Sequence, residues 1–404
     1  MQELHEISNR LINSVKTIFF RSLYKSVNWE NRLIEIQGAR GVGKTTMMLQ
    51  KAKELNNAGK SVLYISLDIP YFYRNGLFET AENFYKYGGQ YLFVDEVHKY
   101  PQKQKKIDWA QEIKNIYDTI PDLFVIFSGS SVLQLYKSQG DLSRRKSTYM
   151  LNGLSFREYL QFYKNQTFER LTLAEILNTH QTICTKIIKK IKILPEFNNY
   201  LSSGYYPFFK ENPKKYLERL ADIINVIIET DIPYITDIAN ETLHKFKQLL
   251  SVIASTVPYS LNLSNISSEL YITDQRTLIK YLNLLEKAEL IKTLGAKVIG
   301  NKILNKPQKI YLNNTNLMYA IDRYHIHAGT LRETFFLNQL NYLHKINYTN
   351  PGDFIVDNHF TFEVGGKNKT NKQIKNTENA FLALDNIETG FANNIPLWIF
   401  GFLY

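Results

Sequence analysis

Residues 38–45, Gly-Ala-Arg-Gly-Val-Gly-Lys-Thr, constrain the fold more than any other segment of this chain. They fit the pattern Gly-x4-Gly-Lys-Ser/Thr without a mismatch. They also follow an apolar run at Leu33–Gln37 and open a helical pattern at Thr45–Leu55, the strand–turn–helix setting of a phosphate-binding loop. The glycines let main-chain N–H groups curl around a phosphate, where the helix N-terminus adds a favourable dipole. The expected cradle is Gly38, Ala39, Arg40, Gly41, Val42, Gly43, Lys44, Thr45 and Thr46. Lys44 would reach the β- and γ-phosphates as a point charge, and the Thr45 hydroxyl would take Mg²⁺. A glycine-rich turn without that role is the bland alternative, and Lys44 next to Thr45 argues against it.

Tyr91-Leu92-Phe93-Val94-Asp95-Glu96 is an apolar strand ending in two carboxylates. Acids at the carboxyl end of a strand in an open α/β sheet sit at the crevice where ligands bind. Asp95 is then the Mg²⁺-side carboxylate, and Glu96 the general base that polarises the attacking water. Leu123–Phe127 runs into Ser128-Gly129-Ser130-Ser131, where Ser128 is placed to contact the γ-phosphate or orient that water. Further on, Asp141-Leu142-Ser143-Arg144-Arg145 offers two arginines, either of which could reach a neighbouring copy's site and stabilise transition-state charge. That reading requires a homo-oligomer.

Apolar strand runs at Leu33–Gln37, Ser61–Leu67, Gln90–Val94 and Leu123–Ser128 alternate with amphipathic helical stretches, the signature of a parallel α/β sheet. A chain of 404 residues exceeds one hydrophobic core. Four segments are expected: a parallel α/β domain with the phosphate loop at 1–160, a helical segment at 161–235, a winged helix at 236–300 and a terminal segment mixing a helix with strands at 301–404. Lys214–Glu229 reads as a helix, and Pro396–Phe402 as the last strand.

No run approaches the roughly 20 apolar residues of a membrane helix, and the first residues lack a signal-peptide profile. The single cysteine, Cys184, leaves no internal disulfide or cysteine zinc site. A reduced, cytoplasmic setting is expected. The net charge of +11 is spread along the chain, which favours a polyanion such as DNA only modestly.

These segments resemble a prokaryotic family of AAA-type ATPases, related to the archaeal ATPases, that carry a C-terminal domain of unknown function. GARGVGKTT, YLFVDEVHKY, FSGSSVLQL, DLSRRKSTYMLNGLSFREYL, YLSSGYYPFFKENP and FEVGGKNKT fall in the family's order and approximate spacing. The resemblance implies an ATPase core, a helical lid, a winged helix and a terminal domain similar to restriction-endonuclease-like folds. The commonest family form has Gly-Arg where this chain has Ser143-Arg144-Arg145, which leaves open which arginine acts.

In the winged-helix segment, Thr273 is placed to cap a helix over Asp274–Glu289. Leu278, Leu282 and Leu285 form its core stripe, and Arg276, Lys280, Asn283 and Lys287 a polar one. That second stripe would suit the major groove, or simply water or a protein client.

In the terminal segment, two strands around Asp357-Asn358-His359 would set Asp353 opposite Glu363 if the hairpin is centred on Asn358. Opposed carboxylates repel unless water or a cation intervenes. In a restriction-endonuclease-like fold, Asp353 and Glu363 would hold a second metal, with Glu333 and Gln373 beside them. Position 365 is glycine where a lysine is wanted, and the nearest lysine is Lys367, beyond a Gly365-Gly366 pair expected to break the strand. The chain thus reads as a Mg²⁺-dependent ATPase that couples nucleotide state to its later domains. The alternatives are a nucleotide-gated DNA-binding scaffold and an ATP-regulated nuclease.

Overall fold

Five short strands pair side by side, all parallel, in the first part of the chain: β1 (Leu33–Gln37), β2 (Val62–Ser66), β3 (Tyr91–Asp95), β4 (Phe124–Ser128) and β5 (Ser147–Met150), in the order β2-β3-β4-β1-β5. The computed structural model describes residues 1–101, 108–129, 142–233, 240–255, 263–272, 274–295 and 307–404. The chain divides into two units, Met1–Gly153 and Leu154–Tyr404.

In the first unit, α1 (Gln2–Ser14) and α2 (Ser22–Ser26) precede β1. Then α3 (Lys44–Asn57) links β1 to β2, α4 (Leu77–Lys86) links β2 to β3, and α5 (Trp109–Thr119) links β3 to β4. Strands covered on both faces read as continuous apolar runs. Accordingly, all five residues of β1 are buried. Edge strand β2 is covered by α1, whose buried Ser8 accepts the Tyr64 main-chain N–H at 2.9 Å.

Strand β5 has no such run, which is why it escaped prediction. It is held by polar bonds instead. Glu35, buried in the middle of β1, receives the Lys146 ammonium at 2.7 Å and the Thr148 hydroxyl at 2.8 Å.

The second unit begins with helices at Phe156–Lys164, Leu173–Ile188, Ile193–Ser203 and Tyr216–Val226. The expected helix over 214–229 is divided: a 3₁₀ turn at Pro213–Lys215 precedes Tyr216–Val226, and a π-turn at Ile227–Asp231 follows. Helices Asn240–Ser255, Leu263–Glu269 and Gln275–Lys287 come next, then β6 (Ile291–Leu294) paired antiparallel with β7 (Lys309–Leu312). Leu278, Leu282 and Leu285 are buried. Thr273 lies outside the described residues, and Asp274 caps the third helix by accepting from the Arg276 N–H at 2.8 Å.

Helices Thr315–Ile321 and Ala328–Leu340 lead to a second five-stranded sheet, ordered β12-β11-β10-β9-β8, from β8 (Ile346–Tyr348), β9 (Phe354–Val356), β10 (Phe360–Gly366), β11 (Ala380–Asp385) and β12 (Asn394–Pro396). Two expectations fail here. Leu397–Phe402 winds into a 3₁₀ helix with all six residues buried, instead of a strand. The Gly365-Gly366 pair does not break β10, because both glycines pair in parallel with Leu384 and Asp385 of β11.

Candidate active site

The glycine-rich turn leaves β1 and enters α3 with Gly38, Gly41 and Gly43 at φ 149°, 86° and 100°. A side chain at the last two would be strained. At Gly38, a Cβ would come within 2.2 Å of the Leu151 carbonyl oxygen. No side chain caps the N-terminus of α3, so its first-turn N–H groups suit an anion. Lys44 is buried and donates to the Gly38 and Ala39 carbonyls at 2.8 and 2.9 Å, which draws its ammonium across the loop. Thr45 and Thr46 occupy the exposed side of the same turn.

Asp95 closes the other side. Its carboxylate is buried and takes four donors, two on each oxygen. Oδ2 accepts the Thr45 hydroxyl at 2.6 Å and the Tyr64 hydroxyl at 2.7 Å; Oδ1 accepts the Glu96 N–H at 3.0 Å and the Ser128 hydroxyl. Ser128 is thus a donor to Asp95. Burial, reinforced by the Asp95 charge, pushes the Tyr64 phenol far above its ordinary range, so it stays protonated and donates. The donor set fits Mg²⁺, which prefers hydroxyl, carboxylate and water oxygens, and the loop with its lysine fits a triphosphate.

Glu96 follows with φ 53°, a left-handed conformation costly for a residue with a side chain. Its Oε2 lies 3.4 Å from His98 Nε2 and 3.6 Å from Lys99 Nζ. Burial, aided by the charges of Lys99, Lys44 and Arg40, lowers the His98 pKa to about 3. A neutral imidazole therefore faces the carboxylate. Sequence reasoning missed both Tyr64 and His98. Each sits within or just after an apolar run and reads as core, although the histidine three positions beyond Asp95 was a visible signal.

Of the two arginines, Arg145 is committed. Its guanidinium makes a two-pronged ion pair with Asp118 on α5, at 2.9 and 3.1 Å. Arg144 is exposed. Ser130, Ser131 and Asp141 lie outside the described residues.

In the second unit, the β9–β10 ladder pairs Phe354 with Phe362 and Val356 with Phe360, so the turn is centred on Asn358. One further step of that register sets Asp353 opposite Glu363. Cations already attend both. Lys309 lies 3.3 Å from Asp353 and 3.2 Å from Glu333, which also accepts the Tyr311 hydroxyl at 2.6 Å. Lys369 binds Glu363, and the Gln373 amide, nitrogen inward, donates to it at 2.8 Å. Burial raises the pKa of both Glu333 and Glu363, and the Asp353 charge adds to this. Lys367 is exposed. Among the described residues, no group of three or more His, Cys, Asp or Glu side chains is arranged to hold a metal ion.

The parallel sheet, the glycine turn between β1 and α3 and the acid at the end of β3 define the first unit as a P-loop nucleoside-triphosphate-binding fold. Residues 30–160 match the family described as an AAA domain, and residues 194–325 match a domain of unknown function. An uncharacterized protein of Methanocaldococcus jannaschii is 30% identical over 290 residues, which cover 70% of this chain and 61% of that protein. The chain thus spans less than two thirds of that relative's length.

Among solved structures, a Walker-type ATPase of Pyrococcus abyssi has a TM-score of 0.44 at 12% identity, covering 77% of this chain and 99% of that one. The AMPPCP-bound DnaA of Aquifex aeolicus has a TM-score of 0.27 at 15% identity, covering 70% and 88%. At these scores they add nothing to what the sheet order and loop define. Among the described residues, no helix is long and apolar enough to cross a membrane.

Proposed function

We propose that the first unit binds ATP with Mg²⁺ and hydrolyses it, and that the second unit responds to the nucleotide state. The observation that carries this is the 2.6 Å bond from Thr45 to Asp95, which joins phosphate loop and acid across 50 residues of sequence. When bound, Mg²⁺ would neutralise phosphate charge between the Thr45 hydroxyl and Asp95. Lys44 holds the phosphates, and Glu96 accepts a proton from the attacking water. Ser128 holds Asp95, and Arg144 is the arginine offered to a neighbouring copy.

Lys44→Ala should abolish binding of a fluorescent ATP analogue. Glu96→Gln should keep that binding while turnover falls by about 100-fold or more. No affinity of the wild type for ATP with Mg²⁺, or normal turnover in Glu96→Gln, overturns the reading. Protein captured on Glu96→Gln with ATP would identify a client.

A second reading concerns the later segments. Helices 240–287 with β6 and β7 are proposed as a winged helix that meets DNA through Arg276, Lys280 and Asn283, all three exposed. The terminal sheet is proposed as a nuclease-like fold that binds rather than cuts, because Lys309 and Lys369 neutralise its carboxylates from within. Plasmid nicking with Mg²⁺ or Mn²⁺ that is lost in Asp353→Ala would refute the non-cutting role. DNA binding undiminished in Lys280→Glu would refute the winged-helix contact.

A further inference from the structure

We propose that Tyr64 is a positioning residue of the nucleotide site: it holds Asp95 in place when Thr45 turns to the metal, and so sets how far Mg²⁺ strengthens ATP binding. This rests on the ATP reading above and goes beyond it, since neither the P-loop pattern nor the acidic pair involves strand β2.

The geometry follows from the sheet. Tyr64 pairs with Phe93, and Ser66 with Asp95. Tyr64 therefore lies two residues short of the level of Asp95, on the same face of the sheet by strand parity. Two residues of strand span roughly 6.6 Å, about the reach of a phenol. Serine or threonine at position 64 would fall short, and phenylalanine would fill the space without donating. Tyr64 is 3% exposed, and its main-chain N–H is fixed by Ser8 at 2.9 Å. Both ends of the residue are thus held, and its hydroxyl meets Asp95 Oδ2 at 2.7 Å.

The four donors to Asp95 are not equivalent. Ser128 and the Glu96 N–H serve Oδ1, and Thr45 and Tyr64 serve Oδ2. Thr45 is the donor whose hydroxyl the metal requires. Once it turns, Tyr64 is the donor that remains on Oδ2. A buried charged oxygen deprived of its donor is costly. Without Tyr64, metal binding has to strip Oδ2 of its remaining protein donor, Thr45, and leaves the carboxylate held through Oδ1 by Ser128 and the Glu96 N–H.

The test measures affinity rather than turnover. A fluorescent ATP analogue is titrated into wild type and Tyr64→Phe, each with Mg²⁺ and with EDTA. In wild type Mg²⁺ should tighten binding. In Tyr64→Phe that tightening should shrink about tenfold, with affinity in EDTA within about twofold of wild type. A merely structural role for Tyr64 would weaken both conditions alike. Equal losses, or an unchanged Mg²⁺ effect, overturn the proposal while leaving the ATP reading intact. If wild type binds no ATP, the ATP reading falls and this proposal with it. Tyr64→Met, a flexible apolar filler, serves the same comparison should the phenylalanine variant not fold.

Discussion

Lys369 lies across Gly365: a Cβ built at position 365 would come within 2.6 Å of both Cβ and Cγ of the lysine. The missing side chain is the space through which Lys369 reaches Glu363, which is 2% exposed. The strand continues through the glycine, and the cation arrives from four residues further on. Gly365→Ala should therefore evict Lys369, strand a buried carboxylate and lower stability to urea by roughly 1–3 kcal/mol. Gly366→Ala is the control, since the atoms nearest its Cβ would be those of the Arg332 guanidinium, at 3.4 Å, an ordinary contact with the end of a flexible side chain. Equal stability of the two variants would refute the role assigned to Gly365.

Arg21 is buried, and its guanidinium donates to the Val42 carbonyl of the phosphate loop at 2.8 Å and to the Asn152 and Gly153 carbonyls at 2.7 Å. Hydrogen bonds to a charged group contribute roughly 1.5–3 kcal/mol each. Arg21→Lys has a single ammonium and cannot span the three acceptors. It should lose at least about 2 kcal/mol in denaturant titration and bind ATP more weakly; a lysine variant as stable as wild type would count against this.

His98 gives the first unit an acid-sensitive component. Its folded pKa, about 3, lies below the ordinary 6.5, so the folded state resists a proton that the unfolded chain accepts. The corresponding stability is complete above pH 6.5 and is lost as pH falls toward 3, at up to about 1.4 kcal/mol per pH unit. His98→Gln should flatten that part of the stability profile, measured by urea denaturation at several pH values. An unchanged slope would show that the imidazole is not responsible.

The two adjacent arginines should separate cleanly. Arg145→Ala breaks a partly exposed ion pair with Asp118 and should cost about 1 kcal/mol or less, with turnover near wild type. Arg144→Ala should keep stability and ATP affinity but lose turnover by about 1000-fold. If ATP-bound protein sediments as a monomer and Arg144→Ala turns over normally, the contribution from a neighbouring copy is excluded.

The nucleotide site was readable because its pieces are local. Eight consecutive residues specify the loop, and a buried apolar run carries Asp95 to the crevice. Strand β1 was bounded correctly for the same reason. What depends on distant partners was not legible. Ser147–Met150 becomes a strand only because Glu35 and its neighbours on β1 accept it. Leu397–Phe402 is apolar throughout, and an all-apolar run does not reveal its period. The glycine pair in β10 is kept extended by β11, which lies further along the chain. Tyr64 looked like one more core residue in Val-Leu-Tyr-Ile-Ser, since nothing local tells a phenol's hydroxyl where to point.

The close approach of Gly38 to the Leu151 carbonyl has a mechanical consequence. The chain leaves β5 by brushing main chain against main chain past the first glycine of the loop, with no compliant side chain between them to absorb movement. A reporter attached at Asn152, within the first unit, would thus register a reshaping of the loop as a tug on the polypeptide itself.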